Sequence, residues 1–309
     1  MISSVLIVQR YQRGEMGNVG LVKVTFFGTR GSCPCAGDAY KTFGGNTSCV
    51  AIDTGEEAPL ILDAGTGLRA LGAFLRPKNS KKNPPLHARL LLTHLHYDHL
   101  LGLPFFSPLE DPGSLVEVYG PQQGDAEFAA VIDSAVTPPF FPVQMKEFRG
   151  EVRLIGVGDE TFQLGSATVS ARWIPHSGPT LGFRVDVGGA SLAYVPDHQA
   201  PSDGHSIDDA VLELCADVDV LIHDAQYDND EFSDKSDWGH STTAYAVHVA
   251  AQSRAKSLVL FHHDPSHDDA YLLNLESEAA SLEEAAGLES VIAAREGMTL
   301  HLDHQPGTL

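Results

Sequence analysis

Positions 93 to 99 read Thr93-His94-Leu95-His96-Tyr97-Asp98-His99, three imidazoles and a carboxylate within six residues. Imidazole is a common ligand for zinc, iron and manganese, and two such donors one residue apart can converge on one ion. Asp98 and His99 leave the same turn in other directions, so a second ion beside the first is the economical reading. The alternative, a polar loop that happens to be rich in histidine, explains less of the context. The run Leu90-Leu91-Leu92 predicts a short buried strand before the motif, and the apolar-rich segment from Leu100 predicts a helix start or a covered loop. The motif then occupies the turn at a strand's C-terminal end, where α/β folds bind ligands.

Two ions need more donors than one turn supplies. His176 follows a predicted strand 167–174, Asp197 follows a predicted strand 191–195, and His262 ends a predicted strand 258–261. Each lies where the chain leaves a predicted sheet. A lone strand-end histidine more often satisfies ordinary hydrogen bonds, but three such positions beside the first motif weigh towards ligation. A carboxylate such as Asp197 can bridge two cations and hold them roughly 3.5–4 Å apart.

The elements that must position these residues fall into two series. Strand patterns cover 21–27, 48–54, 59–63 and 88–93, then 152–157, 167–174, 181–187 and 191–195, the last two joined by the hairpin signal Gly188-Gly189. Helical spacing follows Gly65-Thr66-Gly67 at 68–75 and recurs at 207–215, 241–251 and 276–286, with strands at 218–223, 258–262 and 298–302. Two strand-rich halves, each finished by helices, predict an α+β fold: an αββα sandwich of two mixed β-sheets with helices on the outer faces. Residues 1–20 read as an N-terminal extension to a single domain over 21–309, and Met16 is an alternative start. The apolar segment Pro138-Pro139-Phe140-Phe141-Pro142 is compatible with packing, a lid or a dimer contact.

The chain has 309 residues, is 43% hydrophobic and 20% charged, and carries a net charge of −21, the composition of a folded acidic protein. No apolar stretch is long enough to span a bilayer and the first twenty residues lack the zones of a secretory signal, so a cytoplasmic location and no membrane partner are expected. The acidic balance predicts no long nucleic acid, but leaves room for a small anionic substrate, because metal ions at the site can reverse the field locally. A homodimer is compatible with the composition. Cys33, Cys35, Cys49 and Cys215 are too few for a disulfide framework. Cys33 and Cys35 read as buried small side chains near a glycine-rich turn, with half of a zinc site as the alternative.

With these residues in view, the chain resembles the metallo-β-lactamase superfamily, in the branch of tRNA 3′-end endonucleases and cyclic-phosphate phosphodiesterases. The resemblance rests on Phe27-Gly28-Thr29-Arg30-Gly31-Ser32, on Asp63-Ala64-Gly65-Thr66-Gly67, on the histidine motif, and on His176, Asp197 and His262 in that order. It implies that His94, His96 and His176 hold one divalent ion, that Asp98, His99 and His262 hold the other, and that Asp197 lies between them. Zinc is the expected metal, with manganese or iron as alternatives. Gly239-His240-Ser241-Thr242 carries the branch signal: in the phosphodiesterases a histidine here contacts the phosphate or the leaving group. Otherwise His240 simply precedes a helix capped by Ser241 or Thr242. His223-Asp224 resembles an element that supports the metal ligands.

The resemblance implies hydrolysis of a small phosphodiester, such as a cyclic nucleotide, by a hydroxide bridging two metals. Asp98 would ligate and accept a proton, while His240 would stabilise or protonate the departing oxygen. Arg30, Asn46 and Ser48 are candidate phosphate contacts, although turn roles suit them better. A lactone or thioester hydrolase would use the same ligands, and a metal-stabilised scaffold without turnover is a third reading. No long basic or glycine-rich arm of the endonuclease kind is evident in the sequence.

Overall fold

Strand after strand in this chain ends in a residue of the histidine and aspartate set, and the topology explains how those ends meet. The structure, a computed structural model, describes residues 7–10, 21–56, 58–76, 85–124 and 126–303. Apart from 7–10, the segment read as an N-terminal extension lies outside the described residues.

The strands are β1 (Ile7–Arg10), β2 (Leu21–Gly28), β3 (Cys49–Asp53), β4 (Leu60–Leu62), β5 (His87–Leu91), β6 (Leu115–Pro121), β7 (Glu151–Val157), β8 (Glu160–Leu164), β9 (Ala167–Trp173), β10 (Leu181–Val187), β11 (Ala190–Val195), β12 (Val220–Asp224), β13 (Ser257–Phe261), β14 (Ser290–Ala293) and β15 (Met298–Asp303). The helices are α1 (Gly67–Leu75), α2 (Tyr97–Leu100), α3 (Phe128–Ala135), α4 (Asp209–Cys215), α5 (Asn229–Lys235), α6 (Thr243–Gln252) and α7 (Asp269–Ala280). They build two mixed sheets, one of eight strands in the order β1-β15-β2-β3-β4-β5-β6-β7 and one of seven in the order β14-β13-β12-β11-β10-β9-β8.

The sheets face each other across an apolar core. Val24, Phe26, Val50, Ile52 and Leu62 from the first interleave with Phe183, Val185, Tyr194, Ile222, Val259 and Phe261 from the second. The alternate residues of the same strands pack outward. Leu60 and Leu62 join the inner core, whereas Ile61 between them, with Leu90 and Val118, meets Leu68 and Leu71 of α1 and Ile132 of α3. On the other side Leu221, Leu258 and Leu260 meet Leu214 of α4, Val247 of α6 and Leu275 of α7. Burial on both faces is why these central strands read as continuous apolar runs. The fold is the αββα sandwich. No described helix is long and apolar enough to cross a membrane.

Parallel pairing gathers the strand ends. β4, β5 and β6 run parallel, as do β11, β12 and β13, so their C-terminal ends share one edge. The register Leu62↔Leu91 sets Asp63 beside Thr93, and Asp224↔Phe261 sets His262 just beyond Asp224. Asp63 and His262 turn out of their strands with left-handed φ values of 59° and 62°. Such backbone costs about 1–3 kcal/mol for a residue with a side chain and is retained where the turn serves a site.

Some expectations need correction. The helix expected over 276–286 is α7, Asp269–Ala280: the Asp268 carboxylate caps Tyr271 N, so the helix starts seven residues earlier. Cys33 is exposed and Cys35 half-buried, not small core residues; Cys49 and Cys215 are the buried pair. In the proline-rich segment Phe141 packs against Phe105 and Phe148, while Phe140 stands 79% exposed.

Candidate metal centre

The turn after β5 and the start of α2 carry His94, His96, Asp98 and His99, while His176, Asp197 and His262 follow β9, β11 and β13. Their donor atoms meet. His94, His96 and His176 form one group and Asp98, His99 and His262 another, with the ligand atoms of each group within 4.8 Å of one another. Asp197 stands between them with its oxygens divided. Its Oδ1 lies 3.8 Å from His94 Nε2 and 3.7 Å from His176 Nε2; its Oδ2 lies 2.9 Å from His99 Nε2 and 3.3 Å from His262 Nε2. Asp98 Oδ2 is 3.2 Å from His262 Nε2 and 3.4 Å from His99 Nε2, and accepts from Ser32 N at 2.7 Å.

Partners behind the rings aim them. His99 Nδ1 donates to Asp63 Oδ2, His176 Nδ1 to the Gly239 carbonyl and His262 Nδ1 to Gln226 Oε1, each at 2.7 Å. The Thr93 hydroxyl donates to Asp63 and accepts from His94 Nδ1 at 3.0 Å. With Nδ1 holding the proton, Nε2 of His94, His176 and His262 keeps its lone pair turned to the centre, and Nε2 of His99 faces the same way. Asp63 is the hub of this support: its oxygens also accept from Thr93 N and from the Tyr194 hydroxyl. Sequence reasoning included Asp63 in a motif without giving it this role. Its place at the end of the run Leu60–Leu62, like that of the other strand-end residues, was the available signal. Gln226 was missed and carries no such signal. Two glycines are required by close approach. A Cβ on Gly31 would stand 2.3 Å from His262 Nδ1, and one on Gly239 (φ 96°) 2.7 Å from His176 Nδ1.

The charge pattern suits a cation. Burial, helped by the neighbouring His99, pushes the His94 imidazole well down, and burial lowers His96 and His176, so these rings are held neutral. Burial would raise the Asp98 and Asp197 carboxyls, but the surrounding imidazoles hold both well below the usual carboxylate range. His99 is the exception: burial lowers it, yet Asp197, Asp63 and Asp98 together raise it, so a cation would displace its proton. His94 Nε2 and Asp197 Oδ2 are buried without a hydrogen-bond partner. Orphaned buried atoms of this kind are costly unless something else satisfies them. Neutral imidazole nitrogens and carboxylate oxygens converging on the same space fit divalent metals that accept mixed nitrogen and oxygen ligands.

His240 belongs to the same edge. Its ring stacks on His262 at 4.9 Å, and its Nδ1 donates to Asp224 Oδ2 at 2.9 Å, leaving Nε2 for other work. Burial pushes this imidazole down, but Asp224, then Asp197 and Asp98, overcome that and raise it to about 9. Asp224 also accepts from His198 N and Gln226 N, so it orients His240 rather than one of the seven residues above. His223 faces His198 at 3.0 Å, away from the donor cluster.

Three candidates lie apart from the donor cluster in other roles. Arg30 is fully buried and donates to the carbonyls of Gly44, Asp264 and His267. The Asn46 amide pairs with Glu296, and Ser48 is buried. These are turn and packing roles, not phosphate contacts. His263, bonded to the Ala294 carbonyl, and His267, bonded to Glu231, are likewise structural.

The sequence profile of the beta-lactamase superfamily domain matches residues 59–263. Ribonuclease Z of Synechococcus sp. (strain WH7803) is 27% identical over 293 residues, covering 80% of this chain and 86% of the relative. Among solved structures, a diphosphatase of the PhnP family superposes with a TM-score of 0.64 at 21% identity, covering 92% of this chain and 98% of its own. The short form of human tRNase Z superposes with a TM-score of 0.58 at 23% identity, covering 91% of this chain and all of the neighbour, 100%. One expectation is overturned by these relatives. The exclusion of a long nucleic acid does not stand, since the Synechococcus protein is a ribonuclease and the human neighbour a tRNase. Net charge summed over the whole chain does not set the field at a donor cluster, where cations are the largest local charges.

Proposed function

The chain belongs to the β-lactamase superfamily of metal-dependent hydrolases and is related to ribonuclease Z, and from that premise we propose that it hydrolyses phosphodiester bonds at a dinuclear centre. The ligands in this reading are His94, His96 and His176 for one ion and Asp98, His99 and His262 for the other, with Asp197 shared. The observation that carries it is the division of the Asp197 carboxylate, one oxygen towards each histidine group. Zinc is the metal we favour because every donor is nitrogen or oxygen and most are imidazole. When bound, divalent cations supply Lewis acidity that neutralises phosphoryl oxygens and lowers the pKa of water from about 15.7 towards about 7.

The chain's own residues do the rest. Asp63, Thr93, Gly239 and Gln226 fix the imidazoles so that no reorganisation is needed when substrate arrives. Asp98, held ionised by His99 and His262, acts as a ligand and is too weak a base to keep a proton for long. His240 carries its proton at neutral pH, with Nδ1 tied to Asp224. Its Nε2 is therefore the group we assign to donate to the phosphate or to the departing oxygen.

A small diester such as a cyclic nucleotide is the first substrate class we propose. RNA is the second, favoured by the relationship to ribonuclease Z. The test is a screen of bis(p-nitrophenyl) phosphate, cyclic mono- and dinucleotides, a tRNA precursor and a lactone, using protein reconstituted separately with zinc, manganese and iron. Turnover of a diester, lost in His240→Ala, is expected. Turnover of the lactone alone, with His240→Ala unaffected, would make the protein a carbon-ester hydrolase instead.

A further inference from the structure

Two of the most exposed aromatic side chains stand beside the donor cluster. Tyr97, 74% exposed, lies between His96 and Asp98, and Trp238, 60% exposed, lies two residues before His240. His96 is the exposed member of its group, so the cluster opens to solvent on that side. Tyr97 follows His96 directly. Trp238 is joined to Gly239, whose carbonyl holds His176 Nδ1 at 2.7 Å, and the His96 and His176 rings lie 5.1 Å apart. Tyr97 is thus joined to His96 and Trp238 to the residue whose carbonyl holds His176, so two exposed aromatics come from different chain segments next to this pair of rings. Lys235, ion-paired with Glu231 and Asp264, has its Nζ 4.5 Å from the Tyr227 ring centroid and 5.9 Å from that of Trp238, and the Tyr227 ring lies 5.8 Å from that of His240, which sets Trp238 near His240 in space as well as in sequence.

Single exposed apolar residues are ordinary on a protein surface, but a phenol and an indole carried on segments that adjoin the same pair of histidines are not scattered. In the phosphodiester reading the donor cluster would engage the phosphate, so recognition of the rest of a substrate would fall to side chains around it. Tyr and Trp offer large rigid faces with only two side-chain torsions to fix, and stacking on every base is available because each has a π-face.

We propose that Tyr97 and Trp238 form an aromatic platform that stacks the nucleobase of a nucleotidyl phosphodiester whose phosphate lies at the metal centre. The proposal rests on the phosphodiester reading and names the part of the substrate that the reading leaves open. Two measurements test it, and they fail independently.

The first needs no turnover. The chain has two tryptophans, so in Trp173→Phe protein the fluorescence comes from Trp238 alone. Titration with AMP or UMP quenches it, titration with ribose 5-phosphate does not, and Tyr97→Ala in that background weakens the nucleotide's apparent affinity about tenfold. Equal responses to nucleotide and ribose phosphate, or none to either, overturn the platform. The second compares the p-nitrophenyl ester of thymidine 5′-phosphate with methyl p-nitrophenyl phosphate on metal-loaded full-length protein. The ratio of their KM values rises about tenfold in Tyr97→Ala and in Trp238→Ala, and returns close to wild type in Tyr97→Phe and Trp238→Phe. A ratio that stays constant while both KM values move assigns the residues a structural role and overturns the proposal. If wild-type protein hydrolyses neither ester, the phosphodiester reading falls and the fluorescence result alone decides the platform. Sedimentation of the alanine variants completes the test: a changed oligomeric state without any change in base-dependent binding makes this rim a contact between copies and refutes stacking.

Discussion

Replacing Asp63 by Asn tests whether the residues behind the histidines control the centre. Asp63 accepts four hydrogen bonds: Thr93 N at 2.8 Å and Thr93 Oγ1 at 3.0 Å, His99 Nδ1 at 2.7 Å and the Tyr194 hydroxyl at 2.9 Å. An asparagine amide keeps one oxygen, so one side of this set faces an NH2 group that cannot accept. If the amide oxygen stays with Thr93, His99 must move its proton from Nδ1 to Nε2, which removes the lone pair that faces the centre. If it turns to His99, Thr93 N loses its partner. Leaving one or two buried donors unpaired costs roughly 1–3 kcal/mol each, a sizeable part of a typical stability of about 5–15 kcal/mol. Metal affinity should fall about 10- to 100-fold, the usual effect of removing a ligand's supporting partner. The backbone does not confound the test, because asparagine tolerates the left-handed φ of 59° at this position. Zinc competition against a chromophoric chelator measures the affinity, and denaturant unfolding of the metal-free protein measures the stability. Wild-type affinity within twofold and an unmoved unfolding midpoint would refute the argument.

The same geometry makes four further predictions. His240→Ala should lower kcat on a phosphodiester about 10²- to 10³-fold with metal content unchanged by elemental analysis. Because Asp224 raises His240 to about 9, the protonated donor is present below that pH and lost above it; an alkaline limb of kcat near pH 9 should vanish in His240→Gln. Gly31→Ala, whose Cβ would press 2.3 Å from His262 Nδ1, should lose metal in dialysis, whereas Gly287→Ala, with nothing within 4 Å of its Cβ, should retain it. Buried Cys49 and Cys215, the latter pushed up to about 12 by burial, should react with Ellman's reagent only after unfolding, while exposed Cys33 reacts in the native protein.

The site was more legible than its support. His94, His96, Asp98 and His99 lie within six residues, so their chemistry shows in one glance at the chain. His176, Asp197 and His262 were singled out because each follows a predicted strand, alternating before His176 and mostly apolar before Asp197 and His262. Asp63 ends such a run too, but a ligand's partner has no spacing of its own that separates it from a turn residue. Gln226 has no signal at all: it matters only because parallel pairing of β12 and β13 sets it beside His262. Arg30 illustrates the reverse error, since a cation in a glycine-rich turn looks like a phosphate contact until it is seen to be buried, with Nε and Nη1 given to three carbonyls.

The residue pattern by itself determined the two layers, the positions along the chain of most of their strands and the types of side chain at the centre, because periodicity and strand-end polarity are local properties of the chain. Tertiary structure alone decided that Asp197 presents one oxygen to each histidine group, that Asp224 serves His240, and that Gln226 holds His262. Those relations join positions separated by tens of residues or more, and sheet order and register, which set which strand ends become neighbours, are not written in any single stretch of sequence.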